Sequence, residues 1–276
     1  MALTLMYITN NKDVALIAEK YGVDRIWIDL ETLGKEERQK GMNTVKSKHS
    51  VEDIRIIKPL LSKAELMVRV NPWNTSSPQE IDAVIEAGAD VIMLPMWKSS
   101  KEVQKFVQCV NGRTSTNLLL ETKEAVECLD DVLQISGIDE IHIGLNDLHL
   151  SYGMTFMFEL LANGMVEELC GKIRKAGIPY GFGGIAKIGE GMLPAEKVIM
   201  EHYRLGSTRA ILSRRFCNTE EIKEIEKIER VFSDNMNTLR RFENSLSGAT
   251  SGDFTDNTLV VRELVQKIVD AKRGLS

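Results

Sequence analysis

The sequence predicts an α/β protein, a (β/α)8 barrel (TIM barrel) followed by extra helices at its carboxyl terminus. Eight short apolar or β-branched runs alternate with segments whose apolar residues recur three and four positions apart, often with a glycine just past the end. Such alternation calls for parallel strands joined by helical crossovers. A length of 276 residues also suits a single barrel. The same pattern leaves an open doubly wound sheet as the alternative.

The predicted elements follow one another along residues 1–217, which we assign to the barrel domain. The strands are LTLMYI from residue 3, DRIWIDL from 24, ELMVRV from 65, DVIMLPM from 90, NLLLE from 117, EIHIG from 140, IPYGFGGI from 178 and TRAIL from 208. The helices between them include KDVALIAEKYG, PQEIDAVIEAGA, EVQKFVQCV, EAVECLDDVLQIS, MVEELCGKIRKAG and AEKVIMEHYRLG. A polar, basic stretch over residues 33–52 follows the second strand, where a barrel places an active-site loop, and is expected to form a lid.

Residues 218–276 are predicted to form a helical extension for docking or oligomerisation. Apolar residues between 222 and 246 fall mostly three and four apart, which predicts a long amphipathic helix with at most one break. Residues 247–256 are expected to be a flexible connector. A last amphipathic helix follows from residue 259, capped by Asp256 or a neighbour. Both apolar faces need a cover, either their own barrel or a neighbouring subunit.

Composition excludes several classes of function. The chain carries 35 Lys plus Arg against 40 Asp plus Glu, a net charge of −5, with no basic patch suited to nucleic acid. No apolar run approaches the ~18 residues of a membrane span, and the amino terminus lacks the basic start of a secretory signal. The four cysteines form no CxxC pair. We expect reduced thiols in a cytoplasmic protein, with a catalytic thiol as the alternative.

Charged residues end four of the predicted strands. Asp29, Arg69 and Glu121 each close an apolar run, and Asp147 lies three residues past Gly144. In a parallel barrel these ends converge on one face. Because isolated buried carboxylates are costly, they should be paired or bound to a metal. Glu121 with Asp147 suggests a hard divalent cation, Mg or Mn, that keeps waters or chelates substrate.

Structural alternatives exist for each of these residues. Asp29 and Arg69 could form a simple ion pair. Glu121 and Asp147 could each be a first-turn carboxylate that interacts favourably with the dipole of the helix that follows. His142 alternates with isoleucines inside a strand and is interpreted as a barrel-layer or outward residue whose hydrogen bonds are satisfied. His49 and His149 could each reach the site.

The sequence between about residues 13 and 215 resembles the HpcH/HpaI aldolase and citrate lyase β-chain family. The matching segments are GVDRIWIDLE (22–31), MVRVNPWN (67–74), AGADVIMLPMWKSSKEV (87–103) and LLETKEAVECLDDVLQISGIDEIHIGLNDLHLSYG (119–153). The resemblance implies a barrel that acts on pyruvate, related 2-oxo acids or thioesters. It also implies a homo-oligomer, because family members place such carboxy-terminal helices between subunits.

The resemblance implies a role for each strand-end residue. Glu121 and Asp147 would hold Mg or Mn, which chelates the carboxylate and keto oxygen of the oxo-acid. Arg69 would bind that ligand and stabilise the enolate oxygen, while the backbone N–H groups of Asn146 and Asp147 hold its carboxylate. Asp29 would orient the loop or a water near the metal. The expected activity is therefore a metal-dependent carbon–carbon lyase or aldolase that uses a 2-oxo acid and an aldehyde or thioester.

One departure from the family pattern bears on the base. The aldolase branch usually has His where this chain has Thr32, so proton transfer needs another group. We hypothesise that His49 supplies it. The inserted basic loop would bind an anionic or sugar-derived substrate, unless it is only a solvated insertion. Its basic residues are Lys35, Arg38, Lys40, Lys46, Lys48 and His49.

Three alternatives remain open at this stage. The first is a citrate lyase-like lyase of acyl-CoA thioesters. The second is a Schiff-base aldolase with Lys187 or Lys98 as nucleophile, either of which would need a desolvated amine. The third is a barrel without catalysis that binds an oxo-acid or a partner protein.

Overall fold

A computed structural model describes residues 2–34 and 49–274. Eight parallel strands close into a barrel in the order β1 to β8, with β8 paired to β1. The predicted (β/α)8 fold is therefore confirmed, and the open sheet is excluded. The strands are β1 (Thr4–Ile8), β2 (Arg25–Asp29), β3 (Glu65–Arg69), β4 (Val91–Leu94), β5 (Ser115–Leu120), β6 (Glu140–Ile143), β7 (Tyr180–Ile185) and β8 (Arg209–Leu212).

Helices cover the outside of this barrel. Those between the strands are α1 (Lys12–Lys20), α2 (Val51–Ile57), α3 (Ser77–Glu86), α4 (Ser100–Val110), α5 (Lys123–Glu127), α6 (Leu129–Val132), α7 (Leu145–Ser151), α8 (Glu159–Ala162), α9 (Met165–Lys175) and α10 (Ala195–Leu205). The segment predicted as one helix after β5 is thus two short ones. None of the helices in the described ranges has the length and apolar character needed to cross a membrane.

The strands divide their side chains between two cores. One set packs outward against the helices, and the other fills the barrel interior with a small apolar cluster that includes Met6, Trp27, Met67, Met93 and Leu119. Both sets are apolar because a parallel strand in this fold is buried on both faces. The interior cluster forms the packed floor beneath the carboxyl ends of the strands.

A buried polar network closes the opposite, amino-terminal end of the barrel. Glu140 is 2% exposed and forms ion pairs with Arg25 and Arg209, and its Oε1 accepts from Asn117 Nδ2 at 2.8 Å. Burial alone would raise the pKa of Glu140, but the two guanidinium groups outweigh it and lower the pKa. This end of a barrel lies opposite the active-site face, so we assign the network to stability. The network was not predicted from the sequence.

Two long helices follow β8, α11 (Ile225–Ser245) and α12 (Ser251–Lys272). The first is continuous, as its apolar spacing allows. The prediction of a flexible connector over 247–256 and a cap near Asp256 is wrong. Thr250 and Asp253 form a capping box that satisfies the free N–H groups of the first turn, so α12 already begins at Ser251.

Both carboxy-terminal helices pack on their own barrel. Glu243 of α11 accepts the Leu3 N–H at 2.8 Å, and the rings of Phe232 and Tyr7 meet edge to face at 5.0 Å. On α12, Asn257 donates to Glu201 of α10 at 2.9 Å. The sequence left open whether these apolar faces pack on their own barrel or on a neighbouring subunit. In the structure they pack on the barrel of the same chain.

Candidate active site

The carboxyl ends of the strands surround a cavity of about 210 Å³. Four of the predicted site residues line it, namely Arg69, Glu121, Asn146 and Asp147. The convergence follows from the parallel topology, which brings residues far apart in sequence to one mouth. Asp29 reaches the site by holding Arg69, whereas His49 is not among the cavity-lining residues.

Arg69 is fixed by two buried carboxylates. Its Nε and Nη2 donate to the two oxygens of Asp29 at 2.9 and 2.8 Å, and its Nη1 lies 3.3 Å from Glu31. The guanidinium also lies over the ring of Trp27, at 5.2 Å from the centroid. Burial opposes the charge, but Asp29 and Glu31 outweigh it and raise the pKa of Arg69. The predicted ion pair is real, and it presents a permanently cationic fork beside the cavity.

Glu121 is a buried carboxyl that lines the same cavity. It is 3% exposed, and its Oε1 accepts from the Met96 N–H at 3.1 Å. Burial, and then the nearby Asp147, raise the pKa of Glu121 well above its usual range. It precedes the cap of α5, Thr122, so it is not a first-turn carboxylate of that helix. A cation is the group that would keep both carboxylates ionised.

A glycine makes room for this carboxyl. A Cβ placed on Gly144 would lie 2.9 Å from both Cβ and Oε2 of Glu121, closer than real Cβ contacts. Gly144 ends β6 and caps α7, whose first turn contains Asn146 and Asp147. The N–H groups of a first helical turn have no partner within the helix. A first turn is therefore a place where a bound carboxylate can accept from N–H groups, and Asp147 also lies at the favourable end of the helix dipole.

The donor set suits a hard divalent cation with incomplete protein ligation. Glu121 and Asp147 offer carboxylate oxygens, the ligands that Mg²⁺ and Mn²⁺ prefer. Over residues 2–34 and 49–274, no group of three or more His, Cys, Asp or Glu side chains is placed to hold a metal. Two carboxylates would leave the remaining positions to water and to a chelating ligand.

The histidines take different places. His49 Nδ1 accepts from the Asp29 N–H at 2.9 Å, so this imidazole supports the end of β2. His142 faces the barrel interior, where Nε2 bonds to the Gly183 carbonyl at 3.1 Å and burial lowers its pKa to about 4. It is a neutral, fully buried residue of the barrel layer, as predicted, but it is not fully satisfied: His142 Nδ1 has no hydrogen-bond partner among the described residues, and His142 lines the cavity. His149 is buried in α7 against the Leu145 carbonyl and does not line the cavity.

The lysines considered as Schiff-base nucleophiles are exposed and ion-paired. Lys187 Nζ lies 3.0 Å from Glu190, and Lys98 Nζ lies 3.4 Å from Glu124. Neither has the desolvated environment that an amine nucleophile needs. Of the basic residues predicted to bind an anion, all except His49 lie in residues 35–48, outside the described part of the chain.

Thr32 lies in the loop after β2 and bonds to the loop after β3. Its N–H donates to Asn71 Oδ1 at 2.9 Å, and Asn71 Nδ2 in turn donates to Glu80 at 2.7 Å. An exposed side chain that bonds to the neighbouring loop has a positioning role. Glu31, by contrast, is a functional candidate that residue-by-residue reasoning missed. Its signal was present in the sequence as a second acid two positions after Asp29 at a strand end.

Comparisons with solved structures agree with this fold. An HpcH/HpaI aldolase/citrate lyase family protein from Burkholderia cenocepacia J2315 has a TM-score of 0.62 at 13% identity, covering 89% of this chain and 94% of its own. An HpcH/HpaI aldolase from Desulfitobacterium hafniense DCB-2 has 0.59 at 14%, covering 83% and 93%. Citrate synthase SbnG has 0.59 at 16%, covering 88% and 95%. Comparison with curated proteins finds no match.

The family assignment comes from the sequence itself. A model of the HpcH/HpaI aldolase/citrate lyase family matches residues 3–161, which is more than half of the chain. That range includes Arg69, Glu121 and Asp147, the residues that line the cavity. The chain belongs to the HpcH/HpaI aldolase/citrate lyase family.

Proposed function

We propose that the protein is a divalent-metal-dependent carbon–carbon lyase or aldolase that acts through the enolate of pyruvate or a related 2-oxo acid. Membership of the family supports lyase- or aldolase-type chemistry. The observation that carries the proposal is that two carboxylates, Glu121 and Asp147, line one cavity together with the fixed guanidinium of Arg69. A cation held by the two carboxylates would add a second positive charge to that of Arg69 at this cavity.

Each residue has a definite task in this proposal. Glu121 and Asp147 would hold Mg or Mn, which supplies a Lewis acid that favours negative charge on the ligand's keto oxygen. Arg69 donates to that oxygen and stabilises the charge that develops there. The N–H groups of Asn146 and Asp147 bind the ligand's carboxylate.

Asp29 and Glu31 act through Arg69. They hold its fork in one orientation before the ligand binds, and such preorganisation avoids a reorganisation cost during reaction. His49 supports the end of β2, which carries Asp29, by accepting a hydrogen bond from the Asp29 N–H. Because its Nδ1 is already an acceptor, the neutral imidazole carries its proton on Nε2, and we propose positioning as its first role. The hypothesis that His49 also supplies the base stays a prediction.

Exchange of pyruvate methyl protons with deuterated water tests the proposal without knowledge of the second substrate. We expect exchange by the wild type that depends on Mg²⁺ or Mn²⁺, followed by NMR. Glu121→Gln should lower its rate by about 100-fold or more, because the variant lacks one of the two carboxylates that would hold the cation. Glu124→Gln is the matched control, since Glu124 is exposed and pairs with Lys98. Metal-independent exchange, or equal rates in both variants, would contradict the proposal.

A further inference from the structure

We propose that Trp27 and His142 form a hydroxyl-binding site in the floor of the candidate active site, and that the protein prefers a 2-oxo acid with a hydroxyl group on C3. The inference rests on the proposed function, because it assigns a substituent of the same substrate. It is carried by two ring nitrogens without partners, one of which is a donor and the other an acceptor.

Trp27 supplies the donor. It is 2% exposed and lines the cavity of Arg69 and Glu121, and its Nε1–H has no hydrogen-bond partner among the described residues. An indole N–H can only donate, and a buried donor that has no acceptor destabilises a fold. A ligand atom that accepts from this N–H would remove the cost.

His142 supplies the acceptor. Its Nε2 lies 3.1 Å from the Gly183 carbonyl, and because a carbonyl oxygen only accepts, this nitrogen carries the proton of the neutral ring. Nδ1 is then a lone-pair acceptor, and it too lacks a partner in the part of the chain that the structure describes. Burial lowers the pKa of His142 to about 4, so the ring is neutral and Nδ1 is an acceptor at neutral pH.

The two side chains belong to the same, otherwise apolar floor. Leu119 packs with Trp27 in the interior cluster, and His142 is the register partner of Leu119 on the neighbouring strand. Ile8 and Ile211 also line this part of the cavity. A hydrogen bond is electrostatically stronger in such surroundings than in water. A ligand group that bonds to both nitrogens would therefore be strongly preferred over one that bonds to neither.

A donor together with an acceptor selects a hydroxyl group. A hydroxyl oxygen accepts from Trp27 Nε1–H and donates its own proton to His142 Nδ1, whereas a carboxylate oxygen could bond only to Trp27 and a methyl group to neither. A water molecule has the same hydrogen-bonding chemistry and would take this place when no hydroxyl is bound. A ligand hydroxyl would reproduce the bonds of the water that it displaces.

The assignments already made for the 2-oxo acid leave C3 as the position of this hydroxyl. Its carboxylate is assigned to the N–H groups of Asn146 and Asp147, and its keto oxygen to the cation and Arg69. The cavity of about 210 Å³ suits a compact ligand of a few carbon atoms. A CH₂OH group keeps two protons on C3. One leaves when the enolate forms, C3 bonds to the aldehyde carbon, and the aldehyde oxygen takes up one proton, so the hydroxyl is not consumed.

Isothermal titration of the Mg²⁺-loaded protein with two 2-oxo acids of similar size tests this site. 3-Hydroxypyruvate has a hydroxyl group where 2-oxobutanoate has a methyl group. The wild type should bind hydroxypyruvate at least about tenfold more tightly, because a site built to hydrogen-bond a hydroxyl rejects the analogue that lacks it. His142→Phe and Trp27→Phe should each reduce this preference about tenfold, the effect of one lost hydrogen bond. His142→Asn, which keeps an oxygen acceptor, should reduce it by no more than about threefold.

His202→Phe is the matched control for His142→Phe. His202 is equally buried and also has a ring nitrogen, Nε2, without a partner in the described ranges, but it does not line the cavity. We expect the preference of this variant to stay within about twofold of the wild-type value. A preference that is unchanged in His142→Phe or in Trp27→Phe would overturn the site, and it is the result expected if the two nitrogens hold only water. Equal affinities of the wild type for the two acids would overturn it even if the variants fold poorly.

The two proposals fail in different ways. Pyruvate methyl exchange by a wild type that has no preference for hydroxypyruvate would overturn only the hydroxyl-binding site. Preferential binding of hydroxypyruvate by a protein that exchanges the C3 protons of none of the three acids would overturn the proposed function and leave the hydroxyl-binding site in place.

Discussion

Replacement of Arg69 by methionine should cost the protein far more stability than loss of an ordinary ion pair. The side chains of Asp29 and Glu31 are both 2% exposed, and Arg69 meets Asp29 through two hydrogen bonds. Removing one partner of a buried ion pair costs about 3–5 kcal/mol, because it leaves buried charge uncompensated. We therefore expect Arg69→Met to lower the free energy of unfolding by that amount.

A double-mutant cycle in urea denaturation separates this interaction from simple damage to packing. Asp29→Asn combined with Arg69→Met should cost about 1–3 kcal/mol less than the sum of the single variants. The matched control is Arg113→Met, because Arg113 pairs with Asp82 at 2.7 Å on the surface and should contribute less than about 1 kcal/mol. Additive costs within about 0.5 kcal/mol would refute the coupling and the claim that Asp29 acts through Arg69.

Three further predictions concern carboxyl groups of the barrel. Gly144→Ala should weaken Mn²⁺ binding at least about tenfold, since the new Cβ displaces the Glu121 carboxyl. Titration with Mn²⁺ measures this loss, and a melting temperature equal to that of the wild type is the control for folding. Without metal, Glu121→Gln should unfold at a higher temperature than the wild type above pH 7 and match it near pH 4. Because the pKa of Glu121 is raised in the folded state, its ionisation opposes folding once the pH exceeds the pKa of this group in the unfolded chain. A difference in melting temperature between variant and wild type that stays constant across this pH range would contradict that reason. Glu140→Gln should destabilise by about 3–5 kcal/mol at pH 7 and progressively less as the pH falls through the lowered pKa of Glu140, whereas a pH-independent cost would contradict the role of its two arginines.

Much of the fold was predictable because the barrel repeats one local pattern. Each strand is a short apolar run and each crossover has helical periodicity, so all eight strands were placed within a few residues of their observed bounds. The spacing of apolar residues along a strand does not show which of them face the barrel interior, since both faces of these strands are buried. The orientation of His142 and the network around Glu140 follow from strand register, which one sequence does not define.

The candidate site was predictable to the extent that charge interrupts apolar strands. Arg69, Glu121 and Asp147 stood out for that reason, and the structure brings them to one cavity. Glu31 lies past the end of β2 and was less visible, because an acid in a loop is usually solvated. The early start of α12 was missed for a different reason: the polar residues of its capping box have the composition of a linker.

Binding of Mn²⁺, followed by its effect on the relaxation of water protons, tests the central claim most directly. We predict a single site per chain in the wild type, with affinity increased by oxalate and reduced at least about tenfold in Glu121→Gln and in Asp147→Asn. Glu124→Gln should bind as the wild type does. Wild-type affinity in both site variants would contradict the assignment of Glu121 and Asp147 as the residues that hold the cation.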